Sequence, residues 1–299
     1  MMNSTELKVY LGERREVVEK ALLTFLPEDE SLGNIYKAMR YSLFAGGKRL
    51  RPILCMAGAE AVGGAPEKVL FCGCAMEMIH TYSLIHDDLP GLDDDDYRRG
   101  VLTNHKVFGE GMALLAGDGL LTQAMVLLTD PKAHQGQDPV RVLQASQIMM
   151  TAAGLMGMVG GQAADLEGEK QKPDLEKVQF IHTKKTGALL TAAILTGAVL
   201  GGGNEDQINT LREYGSRIGL AFQIADDLLD LMGDAEAMGK STGADAAKGK
   251  MTYPAVMGLT QARQTGESLV EEAAQLARNL GAKAEPLEAL ALYIMERTH

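Results

Sequence analysis

Apolar residues recur at intervals of three and four along almost the whole chain. Val18 and Leu22 share one helix face near the N-terminus, and Leu269, Ala273 and Leu276 do so near the C-terminus. The strict alternation of apolar and polar residues that is typical of a half-buried strand is scarce. The sequence therefore predicts an all-α protein.

Glycine, proline and polar residues interrupt the helical pattern, but no interruption is long and featureless enough for a domain linker. No repeat of fixed period is present either. We therefore predict a single domain of residues 1–299, in which long helices form a bundle around a deep central cavity. The interruptions lie near Pro27, at Gly63–Gly64, between Pro131 and Pro139, from Gly201 to Asn204, from Met232 to Lys250 and from Gly281 to Glu285.

Charge and cysteine content narrow the choice of partner and compartment. The 299 residues are 46% hydrophobic, which is ample for a core, and carry a formal net charge of −11. Nucleic acids and anionic membranes demand a basic surface, so we expect neither as a partner. Cys55, Cys72 and Cys74 are too few and too odd in number for a disulfide framework, which indicates a reducing cytosol. We expect a cytoplasmic protein.

The most apolar stretch, residues 186–203, could in principle cross a membrane. Thr191 and Thr196 interrupt it, and three consecutive glycines end it. The N-terminus has no apolar run of the kind that a secretory signal needs. We therefore predict a buried helix here and no integral membrane segment.

The strongest chemical signal is an acidic stretch that begins inside an apolar helix. Asp87 and Asp88 follow Leu84 and Ile85, so two like charges lie on a face that reads as buried. Pro90 and Gly91 end or bend the helix, and Asp93–Asp96 can return toward the first pair. Converging carboxylates suit a hard cation such as Mg²⁺, which binds one or two carboxylates together with waters and substrate phosphates. The plain alternative is a solvated acidic face.

A second aspartate cluster follows far downstream. Asp226 and Asp230 lie one helical turn apart on the same face, and Asp227 is adjacent, all of them among apolar residues. Two such clusters suggest one shared site.

A basic turn precedes the first acidic stretch. Gly46 and Gly47 would let the backbone approach a ligand closely, and Lys48, Arg49 and Arg51 would face outward. Backbone N–H groups at a helix start and the arginine forks suit a phosphate, whereas the alternative is an ordinary basic surface turn. His80 lies two helical turns before Asp87 and could reach an anion, although it could also be a core residue.

These motifs together resemble those of the trans-isoprenyl diphosphate synthases. The resemblance is to the bacterial short-chain branch, of the farnesyl diphosphate synthase type, and extends from about residue 30 to about residue 260. The matching positions are Gly46–Pro52, Asp87–Asp88 with Asp93, Arg98–Arg99, Gln162, Lys185–Thr186, Phe222–Gln223 with Asp226–Asp227 and Asp230, Lys240, and Lys250–Pro254. Met251 departs from the small or polar residue that many relatives carry.

The resemblance implies condensation of isopentenyl diphosphate onto an allylic diphosphate by a homodimer with an isoprenoid-synthase fold. It also implies Mg²⁺, with three ions expected and Mn²⁺ as a substitute. The implied metal ligands are Asp87, Asp88, Asp93 and Asp226, with Asp227 and Asp230 acting through water or through other ligands. The implied groups for the allylic diphosphate are Arg98, Lys185 and Lys240, with Thr186 and Gln223 facing the carbocation. Those for isopentenyl diphosphate are Lys48, Arg51, His80 and Arg99, and Lys250 is a further substrate-binding residue.

Product length and two other functions stay open at this point. In the resembled family, residues four and five places before the first aspartate set product length. Tyr82 with the small Ser83 therefore predicts farnesyl diphosphate, and geranylgeranyl diphosphate is the alternative within the family. A class I terpene cyclase would use similar aspartate clusters but needs one diphosphate site, and a non-enzymatic scaffold would leave the basic residues unexplained.

The charged, glycine-rich stretch after residue 232, which carries Lys240, is predicted to close over the site.

Overall fold

A computed structural model of the protein describes residues 2–168, 171–172, 174–232 and 250–296. Almost all regular structure in these ranges is helical, which confirms the predicted all-α class. The first helices are α1 (Ser4–Phe25), α2 (Gly33–Leu43), α3 (Leu50–Ala61), α4 (Leu70–Asp87), α5 (Asn104–Phe108), α6 (Glu110–Thr129) and α7 (Pro139–Ala153). The remaining helices are α8 (Met158–Gly168), α9 (Leu175–Ile181), α10 (Ala188–Gly201), α11 (Glu205–Met232), α12 (Tyr253–Met257), α13 (Leu259–Asn279) and α14 (Glu285–Glu296).

The predicted interruptions coincide with helix ends. Helices end at Phe25, Ala61, Thr129, Gly201 and Asn279, each within a few residues of a predicted break. The interruption from Met232 to Lys250 lies almost entirely outside the described residues. Local glycine and proline signals therefore identified these helix ends correctly.

A short hairpin that the sequence did not predict follows the acidic stretch. Strands β1 (Tyr97–Arg98) and β2 (Val101–Leu102) pair antiparallel, with Arg98 opposite Val101. The two turn residues, Arg99 and Gly100, have φ values of 54° and 81°, as a two-residue turn between twisted strands requires. The hairpin directs the adjacent arginine side chains back toward α4.

Helix α10 is the buried centre of the fold and packs against α3, α7 and α11. Its contact with α3 is close because glycines face the opposing backbone: a Cβ at Gly197 would overlap the carbonyl oxygen of Cys55, and a Cβ at Gly58 that of Ile194. This confirms the prediction of a buried helix for the most apolar stretch. The three cysteines are free and buried.

The two helices that carry the aspartate clusters belong to the same packed core. Helix α4 packs against α3 and α6, and α11 packs against α10 and α13. Between α9 and α10, residues His182–Gly187 form a π-helical turn that packs against α8 and α11. Such turns are frequent at functional sites, and this one presents Lys185 and Thr186.

Two segments are long and apolar enough to cross a membrane by length and composition alone. The first is Glu110–Thr129, whose most apolar 18 residues have a mean hydropathy of 1.5 and are 39% buried. The second is Pro139–Gly168, whose most apolar 18 residues have a mean hydropathy of 1.3 and are 33% buried. The second combines α7 and α8, between which residues 154–157 turn. One or two such segments are weak support for a span, since core helices of soluble proteins have the same composition.

Candidate active site

The first aspartate cluster is located at the C-terminal end of α4. Asp87 is the last residue of the helix and Asp88 follows it. The chain then turns back, because the backbone N–H of Asp93 donates to the carbonyl of Asp87 at 2.8 Å. The predicted return of the acidic stretch toward its start is therefore present.

Arg98, on strand β1, holds Asp88 in place. Its Nε and Nη2 lie 2.6 and 2.5 Å from the Oδ1 atom of Asp88, and Nη2 lies 3.3 Å from Asp95. Burial lowers the pKa of Arg98, but the pairing with these carboxylates outweighs burial and raises it overall. Burial raises the pKa of Asp88 to about 6, against the lowering effect of Arg98.

The rest of the acidic run has a structural task. Asp96 pairs with Lys106 on α5 at 2.7 Å, and its side chain is 61% exposed. The hydroxyl of Thr103 donates to the backbone carbonyl of Asp95 at 2.8 Å. The run therefore divides into an inner set, formed by Asp87, Asp88 and Asp93, and an outer set that fixes the hairpin.

Two lysines from distant segments approach the inner set. Burial raises the pKa of Asp87, and the positive charges of Lys185, Arg98 and Lys250 oppose this rise. Lys250 Nζ lies 3.1 Å from Asp93 Oδ1. Lys185 Nζ pairs with Asp165 of α8 at 2.7 Å. The inner carboxylates thus lie within reach of three cations.

The second cluster lies on α11, and its members have different surroundings. Asp226 is half-buried, whereas Asp227 and Asp230 are 7% and 5% exposed. Asp227 Oδ2 accepts a hydrogen bond from the backbone N–H of Tyr253 at 2.9 Å and lies 3.6 Å from His182 Nε2. Burial lowers the pKa of His182 to about 4, so this histidine is neutral at pH 7. Asp227 joins α11, α12 and the π-helical turn.

Residues 250–253 connect the two aspartate clusters. Lys250 contacts Asp93 of the first cluster, and the N–H of Tyr253 contacts Asp227 of the second. Three residues of extended chain span at most about 10 Å, so one short segment contacts both clusters and keeps them in the same region of the molecule. This proximity agrees with the predicted shared site.

The basic turn before α3 is built around Arg99. Gly47 has a φ of 131°, and a Cβ there would lie 2.8 Å from the guanidinium carbon of Arg99. Arg99 Nη1 donates to the carbonyl of Gly46. The glycine pair thus makes room for an arginine of the hairpin, in addition to any ligand.

Arg51 and Arg99 form a cationic patch beside His80. Burial lowers the pKa of Arg51 to about 10, against the opposing negative charges of Glu77 and Asp226. Burial and then the charges of Arg51 and Arg99 lower the pKa of His80 well below its usual value. Arg51 Nε is buried and has no hydrogen-bond partner in the described part of the chain. A buried, unsatisfied guanidinium donor is the expected feature of an anion site.

Arg49 corrects one detail of the sequence interpretation. It does not face outward as Lys48 does, but is 2% exposed and pairs with Glu19 and Glu77 at 2.7 and 2.9 Å. Its long side chain follows the left-handed backbone at this position, which has a φ of 51°, into the core.

The remaining predicted residues are located as follows. Lys48 is exposed on the basic turn, and Thr186 lies in the π-helical turn beside Lys185. Gln223 is one turn before Asp226 on α11. Ser83 donates its hydroxyl to the carbonyl of His80 at 2.9 Å, and the Tyr82 ring lies edge-on to His86 at 5.6 Å. Lys240 and the predicted lid around it lie outside the described residues.

Comparison with known proteins agrees with this geometry. The sequence model of the Polyprenyl synthetase family matches residues 33–290. The chain belongs to the polyprenyl synthetase family. It is 44% identical to the farnesyl diphosphate synthase of Geobacillus stearothermophilus, and the match covers all of both chains. It is 46% identical to the geranylgeranyl diphosphate synthase of Cyanophora paradoxa, and the match covers 100% of this chain and 99% of that protein. A crystal structure of an FPP/GFPP synthase from Zymomonas mobilis has a TM-score of 0.86 and 37% identity, with 98% and 100% of the two chains covered.

The carboxylate donors of this polyprenyl synthetase fit a divalent metal. Among the described residues, no three carboxylate, histidine or cysteine side chains converge closely enough to hold an ion by themselves. Lysine and arginine contact the inner carboxylates instead. Mg²⁺ usually takes only one or two carboxylates and completes its shell with waters and substrate phosphates. The all-oxygen donors of Asp87, Asp88, Asp93 and Asp226 suit such an ion.

Sequence reasoning missed two acidic residues that shape this polyprenyl synthetase site. Asp165 orients Lys185, and the signal for it was the sequence Gln162-Ala-Ala-Asp165, which repeats the spacing of Gln223 and Asp226. Glu77, which is 1% exposed, pairs with Arg49. The sequence signal for Glu77 was that it is a lone carboxylate inside the apolar stretch of α4.

Proposed function

We propose that this polyprenyl synthetase condenses isopentenyl diphosphate with dimethylallyl diphosphate and then geranyl diphosphate to give farnesyl diphosphate. One observation carries the proposal: the site has two cationic sets of different kinds. Arg98 and Lys250 contact the inner aspartates, whereas Arg51 is half-buried and its buried Nε donor has no partner in the described part of the chain. Two bound diphosphates account for both sets. One would lie next to the aspartates with Arg98 and Lys250, and the other would lie next to Arg51.

The allylic half of the reaction belongs to the aspartate side. Mg²⁺, or Mn²⁺ in its place, would be held by Asp87, Asp88, Asp93 and Asp226. Asp227 and Asp230 would act on the metal through water or through these ligands. When bound, the metal supplies positive charge to the diphosphate that leaves. We assign Arg98, Lys185, Lys240 and Lys250 to the oxygens of that diphosphate, and Thr186 and Gln223 to the carbocation left after the C–O bond breaks.

The second half needs a nucleophile held without metal. Lys48, Arg51, His80 and Arg99 would bind the diphosphate of isopentenyl diphosphate, so that its double bond faces the carbocation. The new C–C bond forms from the electron pair of that double bond. The proton then lost from the neighbouring carbon passes to the released diphosphate, so no protein base is required.

The test is incubation of the purified protein with Mg²⁺, labelled isopentenyl diphosphate and dimethylallyl diphosphate, followed by phosphatase treatment and chromatography. The expected result is labelled farnesol as the main product. A terpene cyclase would give hydrocarbons from an allylic diphosphate alone, and a non-enzymatic scaffold would return the substrates unchanged. Either outcome would refute the proposal.

The two diphosphate sites should be separable by mutation. Arg51→Ala is expected to raise the KM for isopentenyl diphosphate at least about tenfold with little change in kcat, because the arginine contributes similarly to ground-state and transition-state binding. Lys185→Ala is expected to lower kcat, because its charge helps the diphosphate to leave. Steady-state kinetics with each substrate varied in turn measure both effects. Equal effects of both variants on both substrates would contradict the assignment.

Product length is the finer part of the proposal. The relatives named above are called farnesyl and geranylgeranyl diphosphate synthases, so family membership does not select between products of fifteen and twenty carbons. The buried ring of Tyr82 supports the shorter product. Geranylgeranyl diphosphate is the alternative if that ring does not limit the chain.

We further propose that the chain forms a homodimer through α6. Leu114, Leu115 and Val126 on this helix are 48%, 55% and 51% exposed, so three large apolar side chains of one helix face outward. Leu115→Glu is expected to shift the mass measured by light scattering from dimer to monomer, because it buries a charge at the interface. Leu23→Glu on α1, where Leu23 is 48% exposed, is the control and should leave the mass unchanged. A monomeric parent protein would refute this proposal.

A further inference from the structure

Glu77 is a buried carboxylate for which the proposed reaction has no task. It lies in the middle of α4 and is 1% exposed. Its Oε1 atom accepts a hydrogen bond from Arg49 Nη1 at 2.9 Å. Burying a carboxylate at such a position costs folding free energy unless it is paired with a cation. Packing alone would therefore be better served by an apolar residue, and the pair must have another role.

The partner of Glu77 ties the basic turn to three helices. Arg49 Nε donates to Glu19 of α1 at 2.7 Å, and Nη2 donates to the carbonyl of Leu43 at the end of α2 at 2.8 Å. With Nη1 on Glu77 of α4, each guanidinium nitrogen has one partner. Arg49 stands directly after Lys48 and caps the start of α3, so this anchoring fixes the turn that presents Lys48 and Arg51.

Glu77 also supplies negative charge to the cationic patch. Burial lowers the pKa of Arg51 and of Arg99, and the charge of Glu77 is the largest opposing influence on each. His80 follows Glu77 by three residues on the same face of α4. Several cations that converge without a bound anion repel each other, and a buried carboxylate behind them offsets this repulsion.

We propose that Glu77 is a positioning residue for the isopentenyl diphosphate site. Through Arg49 its carboxylate holds Lys48 and Arg51 in the binding conformation before the diphosphate arrives. Binding then loses no free energy to ordering the turn. This inference rests on the proposed function, because it assigns the basic turn to the homoallylic substrate.

Glu77→Gln tests the inference, because it keeps the size and one acceptor and removes the charge. The KM for isopentenyl diphosphate is expected to rise about tenfold or more, while kcat and the KM for dimethylallyl diphosphate stay within about threefold. A loss of general packing would not produce this split. Glu60→Gln is the matched control: Glu60 on α3 pairs with Arg14 and accepts from Tyr10 at 2.6 Å, far along the helix from the turn. It should leave all three constants unchanged.

Glu19→Gln provides a second measurement in case Glu77→Gln does not fold. Glu19 has a side chain that is 33% exposed and holds the same Arg49, so its loss should raise the same KM by a smaller factor. Unchanged KM for isopentenyl diphosphate in Glu19→Gln and in any folded Glu77→Gln would overturn the inference, as would an equal rise for both substrates. A parent enzyme that makes no condensation product would refute the proposed function instead.

Discussion

Replacing Asp87 with alanine should lower kcat for condensation by a factor of at least about 10²–10³, with the fold intact. Even one donor that stabilises charge in a transition state is worth about this much, and in our proposal Asp87 would hold the metal beside the departing diphosphate. Asp226→Ala should have an effect of similar size from the opposite side of the site. The measurement is the steady-state rate at saturating concentrations of both substrates and Mg²⁺.

The acidic run provides its own control. Asp96 lies nine residues after Asp87 and pairs with Lys106 on the outside of the hairpin. The kcat of Asp96→Asn should therefore stay within about threefold of that of the parent protein. A chelator in excess should abolish activity of the parent protein. Full activity of Asp87→Ala, or a loss in Asp96→Asn as large as in Asp87→Ala, would contradict the division into an inner and an outer set.

Asp87→Ala should also make the protein more stable to heat. Burial raises the pKa of Asp87 in the folded state above its ordinary value. A carboxylate whose folded pKa is raised destabilises the fold at any pH above its unfolded pKa, so its removal is expected to stabilise at neutral pH. An inactive protein with an unchanged or raised melting temperature would distinguish a lost catalytic group from a damaged fold.

The sequence was sufficient for features that depend on neighbours in the chain. Helix ends follow local glycine and proline signals, and the return of Asp93 toward Asp87 follows from the proline and glycine between them. The basic turn was also predictable, since Arg51 is the third cation after two consecutive glycines. Each of these follows from a spacing of fewer than ten residues.

The sequence was not sufficient where a contact joins distant segments. Arg49 and Arg51 are both basic residues of one turn, and only the presence of Glu19 and Glu77 on other helices makes the first a buried anchor. Asp226 and Asp227 are likewise adjacent in sequence. The N–H of Tyr253 and the ring of His182 determine that Asp227 fixes the chain.

Tyr82 is the residue on which the product length depends in our proposal. At 1.5 Å per residue it lies about 7–8 Å along α4 from Asp87, toward the N-terminus of the helix. Its ring is 7% exposed and lies edge-on to His86, which in turn contacts the carbonyl of Leu114 on α6 at 2.9 Å. Burial and the charge of Asp87 raise the pKa of Tyr82, which agrees with a position near the first aspartate cluster. A ring packed in this way cannot yield by a whole isoprene unit.

Tyr82→Ala should therefore change the main product from fifteen carbons to twenty or more, while the rate of the first condensation stays within about threefold. The space left by a lost aromatic ring is what an additional isoprene unit would occupy, because the surrounding core relaxes only partly after such a truncation. Tyr82→Phe is the matched control: it keeps the ring and removes only the hydroxyl, so it should still give farnesyl diphosphate. Chromatography of the dephosphorylated products measures the distribution. The same products from Tyr82→Ala and the parent would show that another residue limits the chain, and longer products from Tyr82→Phe would assign the limit to the hydroxyl rather than to the ring.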